Sequence, residues 1–146
     1  MIRALKALLS APQRESEESR QHNIRLAAAA LLVETARADF NQDAAELSKL
    51  TQLLSTSLGL GNDDVLRLVH QAQERVEEAT SLYEFTRVIN DHCSAEQKIQ
   101  LIRAMWLVAY ADGNLDKYEE HLIRHVAELT YVSHLDYIHC KLTAQS

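Results

Sequence analysis

An all-α bundle of six to seven helices with an internal two-fold repeat is the fold class this sequence predicts. Three observations carry it. The 146 residues include only three Gly and one Pro, too few for the tight turns of an all-β chain. No stretch alternates apolar and polar residues, whereas apolar residues recur at helical spacing along most of the chain. A polar motif also appears twice, 73 residues apart, with apolar residues in register behind it.

Composition bounds the function classes. The hydrophobic fraction of 47% suits a globular protein and exceeds that of a disordered one. A net charge of −6 argues against nucleic acid as a partner, because a phosphate backbone rewards a basic surface. No apolar run is long enough for a transmembrane segment. The two cysteines, Cys93 and Cys140, form neither a disulfide framework nor a zinc-ligand pair, so a reducing, cytoplasmic compartment is expected.

Residues 2–9 place Ile2, Leu5, Leu8 and Leu9 around Arg3 and Lys6, the pattern of a short amphipathic helix. Two turns bury little area, so docking on the chain's own domain is favoured over weak membrane-surface contact. Residues 10–21 hold the only proline, Pro12, and five charges, and read as a polar linker. The expected division is therefore 1–21, amphipathic helix and linker, and 22–146, a helical domain.

Within that domain, Ile24, Ala27, Ala28, Leu31, Thr35 and Ala38 mark a helix over about 22–39. Leu47, Leu50, Leu53, Leu54 and Leu58 mark the next, over 44–58, closed by Gly59 and Gly61. Asn62–Asp64 open a helix carrying Val65, Leu68, Val69, Ala72 and Val76. Ser81 with Glu84, and Ser94 with Gln97, read as capping boxes before two further helices. The second of these is very apolar, places Met105 and Trp106 in the core, and stops at Gly113. Helices over about 117–131 and 134–143 complete the chain.

The repeat aligns residues 36–46 with 109–119. Six of the eleven positions are identical: Ala36/Ala109, Ala38/Ala111, Asp39/Asp112, Asn41/Asn114, Asp43/Asp116 and Glu46/Glu119. Apolar matches continue at Leu50/Ile123, Leu53/Val126, Leu54/Ala127 and Val65/Ile138. Two related helical hairpins joined by middle helices are expected. In each copy a helix ends before the first Asp, and the next begins near the second. Asp43 with Glu46, and Asp116 with Glu119, have the spacing of capping boxes. Capping does not account for Asp39 and Asp112, which oppose the dipole at a helix C-terminus, nor for Asn41 and Asn114.

Each turn reads Asp-x-Asn-x-Asp-x-x-Glu. Alternating oxygen side chains on a tight turn can converge on a hard cation, Ca²⁺ or Mg²⁺. The candidate ligands are Asp39, Asn41, Asp43 and Glu46 in the first copy, and Asp112, Asn114, Asp116 and Glu119 in the second. Neither is an EF-hand: Ala44 and Lys117 replace its glycine, and Leu50 and Ile123 its final glutamate. Two readings of the turns stand, cation site or cap alone. Helical phase puts Glu46 about 40° from Leu50, and Glu119 about 40° from Ile123, so both glutamates lean inward.

These turns, on a helical chain of this length, resemble the tellurite-resistance TerB family, whose hallmark is Ala-Asp-Gly-x-x-Asp-x-x-Glu. Residues Ala111 to Glu119 fit it closely; the first copy has Phe40 in place of the glycine. The resemblance spans roughly 24–142. It implies an all-helical fold with an acidic surface suspected of binding metal, no established enzymatic activity, and a setting in bacterial stress responses. The His-Pro-Asp motif of the J domain that accompanies a related domain in DnaJ-like membrane co-chaperones is absent.

Other constellations point to ordinary roles. His121 and His125 share a face with Glu128, but by phase they lie opposite Ile123, on the solvent side. Cys93 beside His92, and Cys140 beside His139, point apart on a helix. Glu34, whose repeat mate is Leu107, reads as a flank residue reaching water. Three functions follow in order: a non-enzymatic acidic module acting through protein partners with weak cation binding; a purely structural adaptor; and a metal-dependent hydrolase, for which no nucleophile or matched basic cluster flanks the acidic turns.

Overall fold

A computed structural model describes residues 16–37, 44–111, 113 and 115–145. Among the described residues there are seven helices and no strand: α1 (Glu17–Arg37), α2 (Ala44–Leu58), α3 (Asn62–Glu78), α4 (Tyr83–His92), α5 (Ala95–Ala109), α6 (Lys117–Leu129) and α7 (His134–Gln145). The amphipathic segment 2–9 lies outside the described residues. So do Asp39, Asn41, Asp43, Asp112 and Asn114.

α1 is the central helix. It packs most extensively on α3, then on α4 and α5, and also touches α2 and α6. The cause is its second half, where Ala27, Ala29, Ala30, Leu31, Leu32, Val33, Thr35 and Ala36 are all buried. Alanines favour helix and let neighbouring backbones approach closely. Thr35 is accommodated there by donating its hydroxyl to the Leu31 carbonyl at 2.9 Å. α1 begins earlier than the sequence pattern suggests: residues 17–21, expected as linker, form its exposed first turns. Ser16 accepts from the Ser19 N–H at 3.1 Å, and Glu17 and Glu18 complement the dipole, so capping starts the helix before any apolar residue does.

α5 is the second core helix and buries Leu101, Ile102, Met105, Trp106, Val108 and Ala109. It packs against α7, α1, α2 and α6. Its expected capping box is present in both halves. The Ser94 N–H donates to Gln97 Oε1 at 2.8 Å, and the Gln97 N–H donates to Ser94 Oγ at 3.2 Å. The box expected at Ser81 and Glu84 does not form. α4 starts at Tyr83, so Ser81 lies one residue too early and only accepts from the Tyr83 N–H at 3.3 Å. Glu84 instead pairs with Arg75 of α3 at 3.3 Å.

The turn between α6 and α7 is a Schellman motif. The Val132 N–H donates to the Ala127 carbonyl at 2.9 Å, and the Tyr131 N–H to the Glu128 carbonyl at 3.2 Å. Tyr131 occupies the left-handed position, at φ 62°, where glycine is usual. Asn90 of α4 donates its side-chain amide to the Leu129 carbonyl at 2.9 Å, satisfying one of the last carbonyls of α6.

Candidate functional site

The second acidic turn leaves α5 at Tyr110. The Ala111 N–H donates to the Val108 carbonyl at 3.1 Å, and the Gly113 N–H to the Tyr110 carbonyl at 3.0 Å. Gly113 has φ 83°, and nothing lies within 4 Å of a Cβ built on it. The glycine therefore answers to backbone conformation and not to a close neighbour. Asp116 is the N-cap of α6, with its carboxylate accepting from the Tyr118 N–H at 2.7 Å. That is the cap expected from the sequence.

Three residues later, Glu119 is 0% exposed, and Glu46, its counterpart on α2, is also 0% exposed. Each glutamate begins a buried stripe at four-residue intervals: Glu46, Leu50, Leu54 on α2, and Glu119, Ile123, Ala127 on α6. The inward lean read from helical phase is thus complete burial. A carboxylate at the third position of a helix can serve the cap from the surface. Burying one is expensive unless charge or hydrogen bonds compensate. Both helices bury a glutamate at this same position.

The remaining candidates do not assemble. His121 and His125 are exposed, and Glu128 pairs with Arg124 at 3.6 Å on the same outer face. His92 and His139 are exposed, while Cys93 is half-buried and Cys140 is buried, so neighbours in sequence point apart. Cys140 Sγ donates to the Ile99 carbonyl at 3.6 Å. Glu34 is half-buried, like Leu107, and burial pushes its carboxyl above the ordinary range against the opposing pull of Arg37. Among the described residues, no three His, Cys, Asp or Glu side chains come together as a metal site. Five of the eight expected ligands lie outside those residues.

An aromatic and ionic cluster that sequence reading did not find supports the start of the second turn. Trp106, 0% exposed, stacks on Tyr110 with ring centroids 5.8 Å apart and meets Tyr137 of α7 at 5.3 Å. Lys141 lies over the Trp106 ring at 5.5 Å and donates to Glu120 Oε1 at 2.8 Å. Gln145 donates to the Tyr110 hydroxyl at 2.8 Å. Only the Trp106–Tyr110 spacing of four was visible in advance; the rest joins residues far apart in sequence.

This cluster predicts an alkaline limit. Burial, with Glu120 nearby, pushes the Tyr137 phenol up to about 12, from an ordinary value of about 10. The hydrogen bond to Glu120 likewise raises Lys141. Both groups hold their protons more tightly in the folded state. Their stabilising contribution is therefore complete below about pH 10 and is lost as pH rises toward 12. Urea unfolding at pH 8, 10 and 11 should show declining stability, with a shallower decline in Tyr137→Phe. An equal decline in both proteins would remove the phenol from the account.

The family described as Tellurite resistance protein TerB matches this chain over residues 25–142. No curated protein and no solved structure gives a significant match. The matched region runs from the first buried turns of α1 through most of α7, and it contains both acidic turns and both buried glutamates. The chain belongs to the TerB family.

Proposed function

We propose that this protein is a non-enzymatic, acidic helical module that binds a divalent cation weakly at its two duplicated turns and acts through protein partners in a bacterial, cytoplasmic stress response of the tellurite type. The observation that carries the cation reading is the complete burial of Glu46 and Glu119 at matching positions of two helices. Two further features support a duplicated hairpin. α2 begins one residue after Asp43, as α6 begins one residue after Asp116, and Leu50 and Ile123 are equally buried. The donors are carboxylate and amide oxygens, which suit Ca²⁺ or Mg²⁺. Asp39, Asn41, Asp43 and Glu46 would hold the ion in one turn, and Asp112, Asn114, Asp116 and Glu119 in the other. The cation neutralises carboxylates that otherwise repel one another.

Without the EF-hand's bidentate final glutamate, affinity falls near the ~10⁻⁴ to 10⁻³ M end of protein calcium sites. Thermal unfolding checks this. At about 10 mM Ca²⁺ the parent should gain ~3–8 °C in Tm over EDTA. Asp39→Asn with Asp112→Asn should abolish the gain while raising Tm in EDTA. No cation-dependent gain would leave the turns as caps on a structural adaptor.

A further inference from the structure

A groove of 260 Å³ lies between α1, α2 and α5, with Cys93, the C-cap of α4, beside it. Its polar residues sort to one end. Along α1, Gln21 and Arg25 come before Ala28 and Leu32; along α5, Gln97 and Gln100 come before Leu101 and Ala104. The end of α4, at Asp91 and His92, faces Asn23 and Ala27 of α1 across a neighbouring pocket, and α5 starts at Ala95. The first turn of α5 therefore stands beside the first half of α1. On α2 the order is reversed, with Leu53 and Leu54 before Ser57, as expected of a helix returned along α1 by the short connection from Arg37 to Ala44. One end of the groove thus gathers Gln21, Arg25, Ser57, Gln97 and Gln100, with Ile24 and Leu58 between them. The other end is apolar, and Ala28, Leu53 and Ala104 are only half-buried there.

Charge is equally one-sided. Arg25 is the one charged residue that lines the groove among the described residues, and no acidic side chain lines it there. Arg25 Nε is buried and has no acceptor among the described residues. A buried donor left unmet costs stability, and a carboxylate is the acceptor that matches a guanidinium best, through two parallel N–H donors.

Width selects the rest of the ligand. Gln21 and Leu32 are about 16 Å apart along α1. Spread over that length, the groove has a cross-section of about 16 Å². A helix with its side chains is about 10 Å across and needs roughly five times that section. A single alkyl chain is slender enough, whereas the paired chains of a phospholipid are not. We propose that this groove binds a monomeric fatty acid, with its carboxylate on Arg25 and its alkyl chain laid over Ala28 toward Leu32 and Ala104. The amides of Gln97 and Gln100 border the carboxylate, and the methylenes cover the half-buried floor.

Decanoate below its micelle concentration is the probe. Calorimetric titration of the full chain should show one saturable site, with affinity rising about three- to fourfold per methylene from hexanoate to decanoate. Decanol, which has the same tail and no charge, should bind at least about tenfold more weakly. Arg25→Gln should remove that preference and leave decanol binding unchanged. Ala104→Leu narrows the apolar end, so it should weaken decanoate and spare hexanoate, and it tests the site even where Arg25→Gln does not fold. Cys93 is half-buried beside the polar end, whereas Cys140 is buried. Its modification by an aromatic disulfide reagent should slow as decanoate saturates, with the calorimetric midpoint. Equal affinity for decanoate and decanol overturns the proposal, as does a preference that survives in Arg25→Gln. So does an unchanged Cys93 rate, or uptake that never saturates, which is adsorption to exposed apolar surface.

Discussion

Trp106→Ala should destabilise the protein by about 3–5 kcal/mol, the range for emptying an aromatic site in a packed core. A protein of this size has roughly 5–15 kcal/mol of stability in total, so one substitution removes a large share. Trp106 is wholly buried, and its ring is the common contact of Tyr110, Tyr137 and Lys141. Deleting it leaves a void between α5 and α7, and the start of the second acidic turn loses the surface on which Tyr110 stacks. Trp106→Phe is the informative companion. It removes part of the ring but also the indole N–H, which is buried without an acceptor among the described residues. Relief of that group offsets about 1–3 kcal/mol of the lost packing, so the Phe variant should stay within about 1.5 kcal/mol of the parent. Since Trp106 is the only tryptophan, urea unfolding of both variants must be followed by circular dichroism. A loss in the Phe variant in proportion to the volume it removes, well beyond about 1.5 kcal/mol, would show that packing alone decides the site.

The sequence was most informative where one residue type serves one local need. Gly113 at a positive φ, Asp116 as a cap and the Ser94–Gln97 box were legible because each acts on backbone within three residues. The core of α5 was legible because helical period and burial coincide there. Reading failed where a local choice depended on a distant partner. Glu84 could have closed a box with Ser81, but it pairs with Arg75 of α3, and the helix starts later. The first turn of α1 was missed for the opposite reason, since residues 17–21 are held by caps and polar contacts and show no apolar period. The bond from Lys141 to Glu120 spans 21 residues and has no local signature. The inward glutamates fall between these cases. Phase gave their direction, but only packing made a lean of about 40° into zero exposure.

Glu46→Gln and Glu119→Gln should change sign with the cation. The substitution keeps the shape and one acceptor oxygen and removes the charge, so it isolates what the charge is for. In EDTA the substitution removes one charge from a turn that collects three carboxylates within eight residues, and easing their mutual repulsion should stabilise the protein by roughly 1 kcal/mol. At about 10 mM Ca²⁺ the parent gains about 1.4–2.7 kcal/mol by mass action for dissociation constants of ~1 to 0.1 mM. That gain applies to each turn, and each Gln variant loses a ligand in one turn and keeps only the gain of the other. The stability order therefore reverses between the two conditions, with the variants above the parent in EDTA and below it in calcium. Urea unfolding of the parent and both single variants in EDTA, Mg²⁺ and Ca²⁺ measures this directly. Variants less stable than the parent by the same amount in every condition would assign the two glutamates a structural role, with their charge held by the fold and no cation needed to balance it.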